Sequence, residues 1–533
     1  MPAYGSVDAL RDALSAPETF PHAPDRVDLV QTHISLVALV PPWVYKIKKP
    51  LDLGFLDFST QSARQAACEA EVRLNQRLCA SVYQGVVPIV ETDAGLRVDP
   101  PDPGDAPVVG HAVKMCYLSP EGFLHHRLAA GTVTPATVDR VANTLASFYD
   151  ARPAAPDVAE EGWIDRLRVN TDENFEQTEA IVGTHLPRPT YDALRRSTDR
   201  FYDTHAALLH RRRAHGFFVN GHGDLRLEHV HLTDDRVCVY DCIEFNERFR
   251  YLDVANDIAF LAMDFDVNGR TDLSRHFVAR MQEHLDDPDL RTLLPFYKSY
   301  RAYVRGKVEG MRAAEAEVPA PERRASHMRA RRFFQWALRY AVSGPEPLVI
   351  IVMGRSGTGK STQAAALADC LGWAHLSSDR IRKTRAGVPL HIRPDADTRA
   401  RLYSDRMTAA TYATLQARAV ERARQHESTV VDATYSRVEA RNRMRSALRA
   451  EDISYVFVEL TADDATLRHR LGRRDDGASV SDARAEDFDM LTRRYQAPTA
   501  LEDARHVRVS TTDTPEATTT AILDTLIALN GLA

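Results

Sequence analysis

The chain has 533 residues, 44% hydrophobic and 27% charged, an ordinary balance for globular protein but too much length for one core. A net charge of −6 and a pI near 6.4 argue against a large nucleic-acid footprint, and no apolar run approaches the roughly 18 residues of a membrane span. Six cysteines without a CxxC pair argue against a disulfide framework or a structural zinc site. With no leader-like N-terminus, the expected compartment is the reducing cytoplasm, with no membrane partner.

In chain order, residues 27–40 and 43–50 read as neighbouring antiparallel strands broken by Pro41-Pro42. Side chains alternate along a strand, so Lys46 and Lys48 share a face. From Ser59 to about Leu78 the pattern is helical: Ala67, Ala70, Leu74 and Leu78 form an apolar face, while Glu69, Glu71, Arg73 and Arg77 stay polar. Strands are predicted at 86–90 and 108–118, and helices from Thr134 to about Arg213. The stretch 217–232 then sets His222-Gly223-Asp224 between apolar runs. Val237 to Asp241 reads as a buried strand ending in an acid, with Glu244 close behind and Cys238 and Cys242 expected to pack. Asp253 and Asp257 open a further helical run. Acids at the ends of buried strands are costly unless positive charge meets them, and a divalent metal accounts for the set most economically.

His222-Gly223-Asp224-Leu225, with the apolar strand that ends in Asp241, resembles the catalytic core of aminoglycoside-phosphotransferase-type kinases over roughly residues 20–330. The resemblance implies an α+β, two-lobed protein-kinase-like domain over 1–342, with an N-lobe at about 20–118 and a C-lobe at about 119–342. It implies that Asp224 orients or deprotonates the attacking hydroxyl, that Asp241 holds Mg²⁺ on the ATP phosphates, and that a strand lysine paired with a helix acid grips those phosphates. Lys46 and Lys48 both suit that strand position; the Lys-Lys-Pro ending favours Lys48, with Glu71 as partner. Where the family has a metal-binding Asn five residues after the catalytic Asp, this chain has His229, a poorer ligand for a hard cation such as Mg²⁺.

Residues 343–347, Ser-Gly-Pro-Glu-Pro, break any helix and read as a linker. Beyond it, apolar runs at 348–353, 374–378, 428–433, 454–460 and 506–510 alternate with helical stretches, which predicts an α/β domain with a mostly parallel sheet over 348–533. The first run leads into Gly354-Arg355-Ser356-Gly357-Thr358-Gly359-Lys360-Ser361-Thr362, a complete GxxxxGK[ST] motif between strand and helix. Such a loop turns backbone N–H groups around a polyphosphate, sends its lysine to the outer phosphates and offers the serine hydroxyl to Mg²⁺. Asp379 and Arg382 follow the second strand and Asp432 ends the third, on the side where these sheets bind ligands. Arg470, Arg473 and Arg474 flank a polar loop that reads as a lid over the transferred phosphoryl group.

This second half resembles the small P-loop kinases, namely the polynucleotide-kinase-like, gluconate-kinase-like, zeta-toxin-like and chloramphenicol-phosphotransferase-like enzymes. By that resemblance Asp379 is the hydroxyl-orienting acid, Arg382 a substrate contact and Asp432 a metal or substrate-hydroxyl ligand. The order of the halves resembles a family of fused bacterial kinases. The expectation is therefore an ATP- and Mg²⁺-dependent phosphotransferase with two nucleotide sites and small-molecule hydroxyl acceptors. Two alternatives are a nucleotide-sensing first half, suggested by His229, and a polynucleotide-end kinase, which the net acidity disfavours.

Overall fold

The computed structural model describes residues 7–52, 54, 56–151, 162–344, 346–392, 394–473, 480–498 and 505–530. The chain divides into two compact units, residues 1–170 with 205–298, and 171–204 with 299–533.

The first unit is built on six antiparallel strands: β1 (Asp28–Gln31), β2 (Ser35–Val40), β3 (Trp43–Lys48), β4 (Tyr83–Thr92), β5 (Gly95–Val98) and β6 (Val108–Cys116), in the order β1-β2-β3-β6-β4-β5. Alternation along β3 decides what each face does. Tyr45 and Ile47 join a core with Leu36, Ala38, Ile89 and Ala112, closed by Leu10 and Leu14. Val44 lies on the opposite face, in a cluster with Cys68, Cys79 and Val113 that holds the helix Gln61–Cys79. Thr60 caps that helix, its hydroxyl accepting the Ala63 N–H at 3.1 Å. The rest of the unit is helical, with two small hairpins that carry the chemistry: β7 (Phe218–Asn220) with β10 (Tyr251–Asp253), and β8 (Val230–Leu232) with β9 (Val237–Val239).

The second unit holds a five-stranded parallel sheet of β11 (Leu348–Gly354), β12 (Ala374–Ser377), β13 (Thr429–Asp432), β14 (Ser454–Thr461) and β15 (His506–Ser510), in the order β12-β13-β11-β14-β15. Ile351, Met353, Val431 and Phe457 meet Leu415, Ala419, Met444 and Leu448 of two covering helices. Helices Lys360–Leu371 and Pro515–Asn530 also pack on the sheet. The expected pairing of a kinase-like antiparallel sheet with a parallel P-loop sheet is what the chain forms. No described helix is long and apolar enough to cross a membrane.

Three local expectations need correcting. The run 27–40 is two strands, because Thr32 and Ser35 close a turn in which the Ser35 N–H donates to the Thr32 hydroxyl at 2.9 Å. The strand leading to Asp241 stops at Val239, and Asp241 sits at φ 63°, outside any strand. Cys238 does pack, but it is also paired with Cys79 at the end of the Gln61–Cys79 helix, the two Cα atoms 4.8 Å apart.

Candidate active sites

In the first unit, β3 and the helix behind it bring a lysine pair onto one acid. Lys46 Nζ donates to Glu71 Oε1 at 2.8 Å and to Asp241 Oδ1 at 2.5 Å. Lys48 Nζ pairs with the other oxygen of Glu71 and with Glu244, and is fully buried. Burial alone would raise the Glu71 pKa, but Lys46 and Lys48 outweigh it and hold the carboxyl below its ordinary value. Asp241 is held well below its usual range in the same way, burial opposed chiefly by Lys46.

His229 lies between the loop of the expected catalytic acid, Asp224, and the expected metal ligand, Asp241. Its Nδ1 lies 2.7 Å from the Asp224 backbone carbonyl, and its Nε2 lies 3.5 Å from Asp241 Oδ2. Asp224, 27% exposed, accepts two hydrogen bonds from Arg226, from Nε at 3.0 Å and from Nη2 at 2.9 Å. Arg226 also pairs with Glu228. Spacing alone gave Arg226 no role, although an arginine two residues past the acid was in plain view.

The loop bearing Asp224 is held from below. Asp257 accepts the N–H groups of His222 and Gly223 at 2.7 and 2.9 Å, and the Tyr149 hydroxyl at 2.9 Å. Gly223 stands at φ 86°, and a Cβ there would meet the Phe249 carbonyl at 2.9 Å, so this turn requires glycine. His222 donates from Nε2 to the Tyr240 carbonyl at 2.9 Å and accepts the Asp224 N–H on Nδ1 at 3.2 Å; burial pushes its pKa down to about 4. From the Gln61–Cys79 helix, Arg77 donates to the carbonyls of Asn220 and Gly221 at 2.8 and 3.0 Å, and Asn75 Oδ1 accepts the Cys242 N–H at 2.8 Å. Nothing in the local pattern marks these two beyond a polar helix face.

The metal expected near Asp253 and Asp257 is not needed. Arg212 grips Asp253 through Nε and Nη2, both at 2.7 Å, and Asp287 through Nη1 at 2.6 Å. Asp257 spends its oxygens on backbone N–H groups and a tyrosine. A guanidinium and the loop amides supply the positive partners that burial demands.

In the second unit the glycine-rich turn joins the end of β11 to the helix Lys360–Leu371. Gly354, Gly357 and Gly359 all have positive φ, and a Cβ on Gly354 would meet the Leu460 carbonyl at 2.4 Å. Lys360 Nζ donates to the Arg355 carbonyl at 2.8 Å, as does the Thr358 hydroxyl, so the turn folds on itself. Ser356, Ser361 and Thr362 lie on the same turn and first helical residues, the latter two exposed. Asp432 ends β13, in register with Val352 of β11 and Ser377 of β12. Asp379 follows β12; burial first and Asp432 second raise its pKa, while Arg382 and Lys360 oppose them. Asp379 thus lies within electrostatic reach of both Asp432 and Lys360.

The arginines diverge. Arg355 extends to Asp464 and Thr492, each at 2.8 Å, and stacks on Phe488. Arg382 donates to the Leu402 carbonyl at 2.8 Å and stacks on Tyr403. Arg470 donates to the Thr511 hydroxyl at 2.9 Å and to its carbonyl. Arg473 is exposed at a helix end, and Arg474 lies outside the described residues. Asp482 pairs with Lys383 at 3.0 Å and accepts the Tyr403 hydroxyl at 3.3 Å.

Comparison with known proteins finds a match for each half of the chain. Residues 58–296 match the phosphotransferase enzyme family and residues 349–498 match an AAA domain family. The chain is 29% identical over 357 residues to an uncharacterized protein of Mycobacterium tuberculosis, covering 67% of this chain and 68% of that one. It is 29% identical over 144 residues to a gluconokinase of Gluconobacter oxydans, covering 25% of this chain and 68% of the other. A solved gluconokinase from Sinorhizobium meliloti is 22% identical, covers 34% of this chain and 94% of that one, and has a TM-score of 0.27. The chain is an ATP-binding enzyme of kinase type that joins a domain like that of the phosphotransferase enzyme family to a P-loop kinase/ATPase-like domain.

Proposed function

We propose that the protein is a phosphotransferase with two Mg-ATP sites, one within residues 1–342 and one within 348–533, each passing the γ-phosphoryl to a hydroxyl of a small molecule. The observation that carries it is common to both units: contacts or electrostatic influence connect an acid suited to an acceptor hydroxyl with a lysine suited to phosphate. Asp224 is joined to Asp241 and Lys46 through His229, and Asp379 lies within reach of Lys360. In each transfer the acceptor oxygen bonds to phosphorus, the bond to ADP breaks, and the hydroxyl proton leaves through the acid.

In this reading Lys46 and Lys360 grip phosphates, and Arg382 contacts the acceptor. Among the described residues no three His, Cys, Asp or Glu side chains gather as a closed cage. That suits Mg²⁺, which takes one or two protein oxygens and completes its shell with phosphate and water. Asp241 in the first site, and Ser361 with Asp432 in the second, would hold it, and it would neutralise phosphate charge. The gluconokinase relative makes sugar acids the first acceptors to try at the second site.

In the full chain, Lys360→Ala and Asp224→Ala should each remove part of the ATP consumption, and the double variant nearly all. If Lys360→Ala alone abolishes it, the first half is not a kinase. The engagement of both Asp224 oxygens by Arg226 favours a second reading, in which that half senses nucleotide and regulates the other. Nucleotide binding that depends on Asp241, with no transfer to any acceptor in the Lys360→Ala chain, would select it.

A further inference from the structure

His229 stands where the kinase resemblance places an oxygen ligand for a second cation, and neither of its nitrogens has a lone pair to spare. A carbonyl can only accept, so Nδ1, 2.7 Å from the Asp224 carbonyl, carries the hydrogen. A guanidinium can only donate, so Nε2, 3.3 Å from Arg226 Nη2, takes that hydrogen bond. The ring is also buried, its side chain 7% exposed, which leaves little room to turn.

The residue that engages it brings its own charge. Arg226 grips both oxygens of Asp224, pairs with Glu228 and donates to the imidazole whose Nε2 is 3.5 Å from Asp241. Its guanidinium therefore touches both the acid suited to the acceptor and the imidazole that borders the acid assigned to the nucleotide metal. A guanidinium stays charged at any working pH and presents a planar fork of donors suited to phosphoryl oxygens.

We propose that Arg226 supplies at the first site the positive charge that a second metal would otherwise supply, so that this site works with one metal, at Asp241. The inference rests on the two-site kinase reading above. When an acceptor hydroxyl takes an oxygen of Asp224, the N–H groups released from that oxygen turn toward the transferred phosphoryl group, which makes Arg226 a catalytic residue.

The test uses the full chain carrying Lys360→Ala, so that turnover reports the first site. Mn²⁺ bound with a non-hydrolysable ATP analogue is counted by electron paramagnetic resonance, as the difference from the same chain also carrying Asp241→Asn. One Mn²⁺ is expected. Arg226→Ala should lower turnover about 100-fold, the size of losing one donor to a developing charge, with analogue affinity changed less than about threefold. Adding His229→Asn to Arg226→Ala should raise the count to two. Two Mn²⁺ in the parent, a count that stays at one in the double variant, or Arg226→Ala turnover within about threefold of the parent overturns the inference. The parental count needs no change at Arg226, so a folding defect in that variant does not blunt the test. Two Mn²⁺ with analogue bound removes only the role of Arg226; no Asp241-dependent analogue binding removes the kinase reading and the inference together.

Discussion

At the scale of single residues, the first site turns on two lysines that the sequence could not separate. Both point to the same side of β3 and both reach Glu71, but their second partners differ: Asp241 for Lys46 and Glu244 for Lys48. The Lys48 side chain is fully enclosed and that of Lys46 is 13% exposed, so only Lys46 combines contact with Asp241 and an opening to solvent. Lys46→Ala should therefore lower turnover of the first site about 100-fold with a small change in melting temperature. Lys48→Ala should instead destabilise the first unit by about 3–5 kcal/mol, because Glu71 and Glu244 lose a buried counter-charge. Steady-state ATP consumption and thermal unfolding of the two variants separate these roles; equal losses of activity with equal stability would contradict them.

At the scale of elements, each site is set by where a strand or helix ends. In the Gln61–Cys79 helix, Glu71, Asn75 and Cys79 recur every four residues, so one stripe holds the lysines, the Cys242 N–H and Cys238. Glu71 is legible as a polar interruption, with its lysines only 23 and 25 residues away, but the partners of Asn75 and Cys79 lie more than 150 residues away and no local spacing names them. Asp241 shows the same limit: the apolar run was visible, whereas the early end of β9 is decided by packing around it. In the parallel sheet, β14 carries the buried Glu459, which Tyr495 and Arg508 contact at 2.8 and 2.9 Å. Burial would push this carboxyl up, but His506, Arg508 and Tyr495 outweigh it and bring its pKa down to about 2. A depressed carboxyl stabilises the fold above its ordinary pKa of about 4.3, and that contribution fades as pH falls toward 2. Glu459→Gln should thus cost about 3 kcal/mol at pH 7, with the gap to the parent narrowing between about pH 5 and 2. A gap that stays constant over that range would show that the ion pairs contribute nothing.

At the scale of the whole molecule, the break at 343–347 was read from Gly and Pro, yet the compact units do not divide there. Within the second unit, the helix Ala320–Ser343 lies against the P-loop fold: Arg339 donates to the carbonyls of Leu371 and Gly372, both at 2.6 Å, and Gln335 to that of Asp369 at 2.9 Å. A fragment starting at residue 348 should therefore melt about 5 °C or more below one starting at 320, and the reverse order would show that this helix adds nothing. What the sequence determined by itself is what local chemistry dictates: the alternation of β3, the GxxxxGK[ST] turn that tolerates only glycine at Gly354, and the acids at the ends of parallel strands. Tertiary structure alone decided which distant charges meet. Arg212 rather than a metal answers Asp253, Arg226 closes on Asp224, and the helices of 171–204 and 299–343 cluster with the P-loop sheet. The physical reason is that a buried charge must find a counter-charge somewhere, and the sequence states the demand without naming the partner.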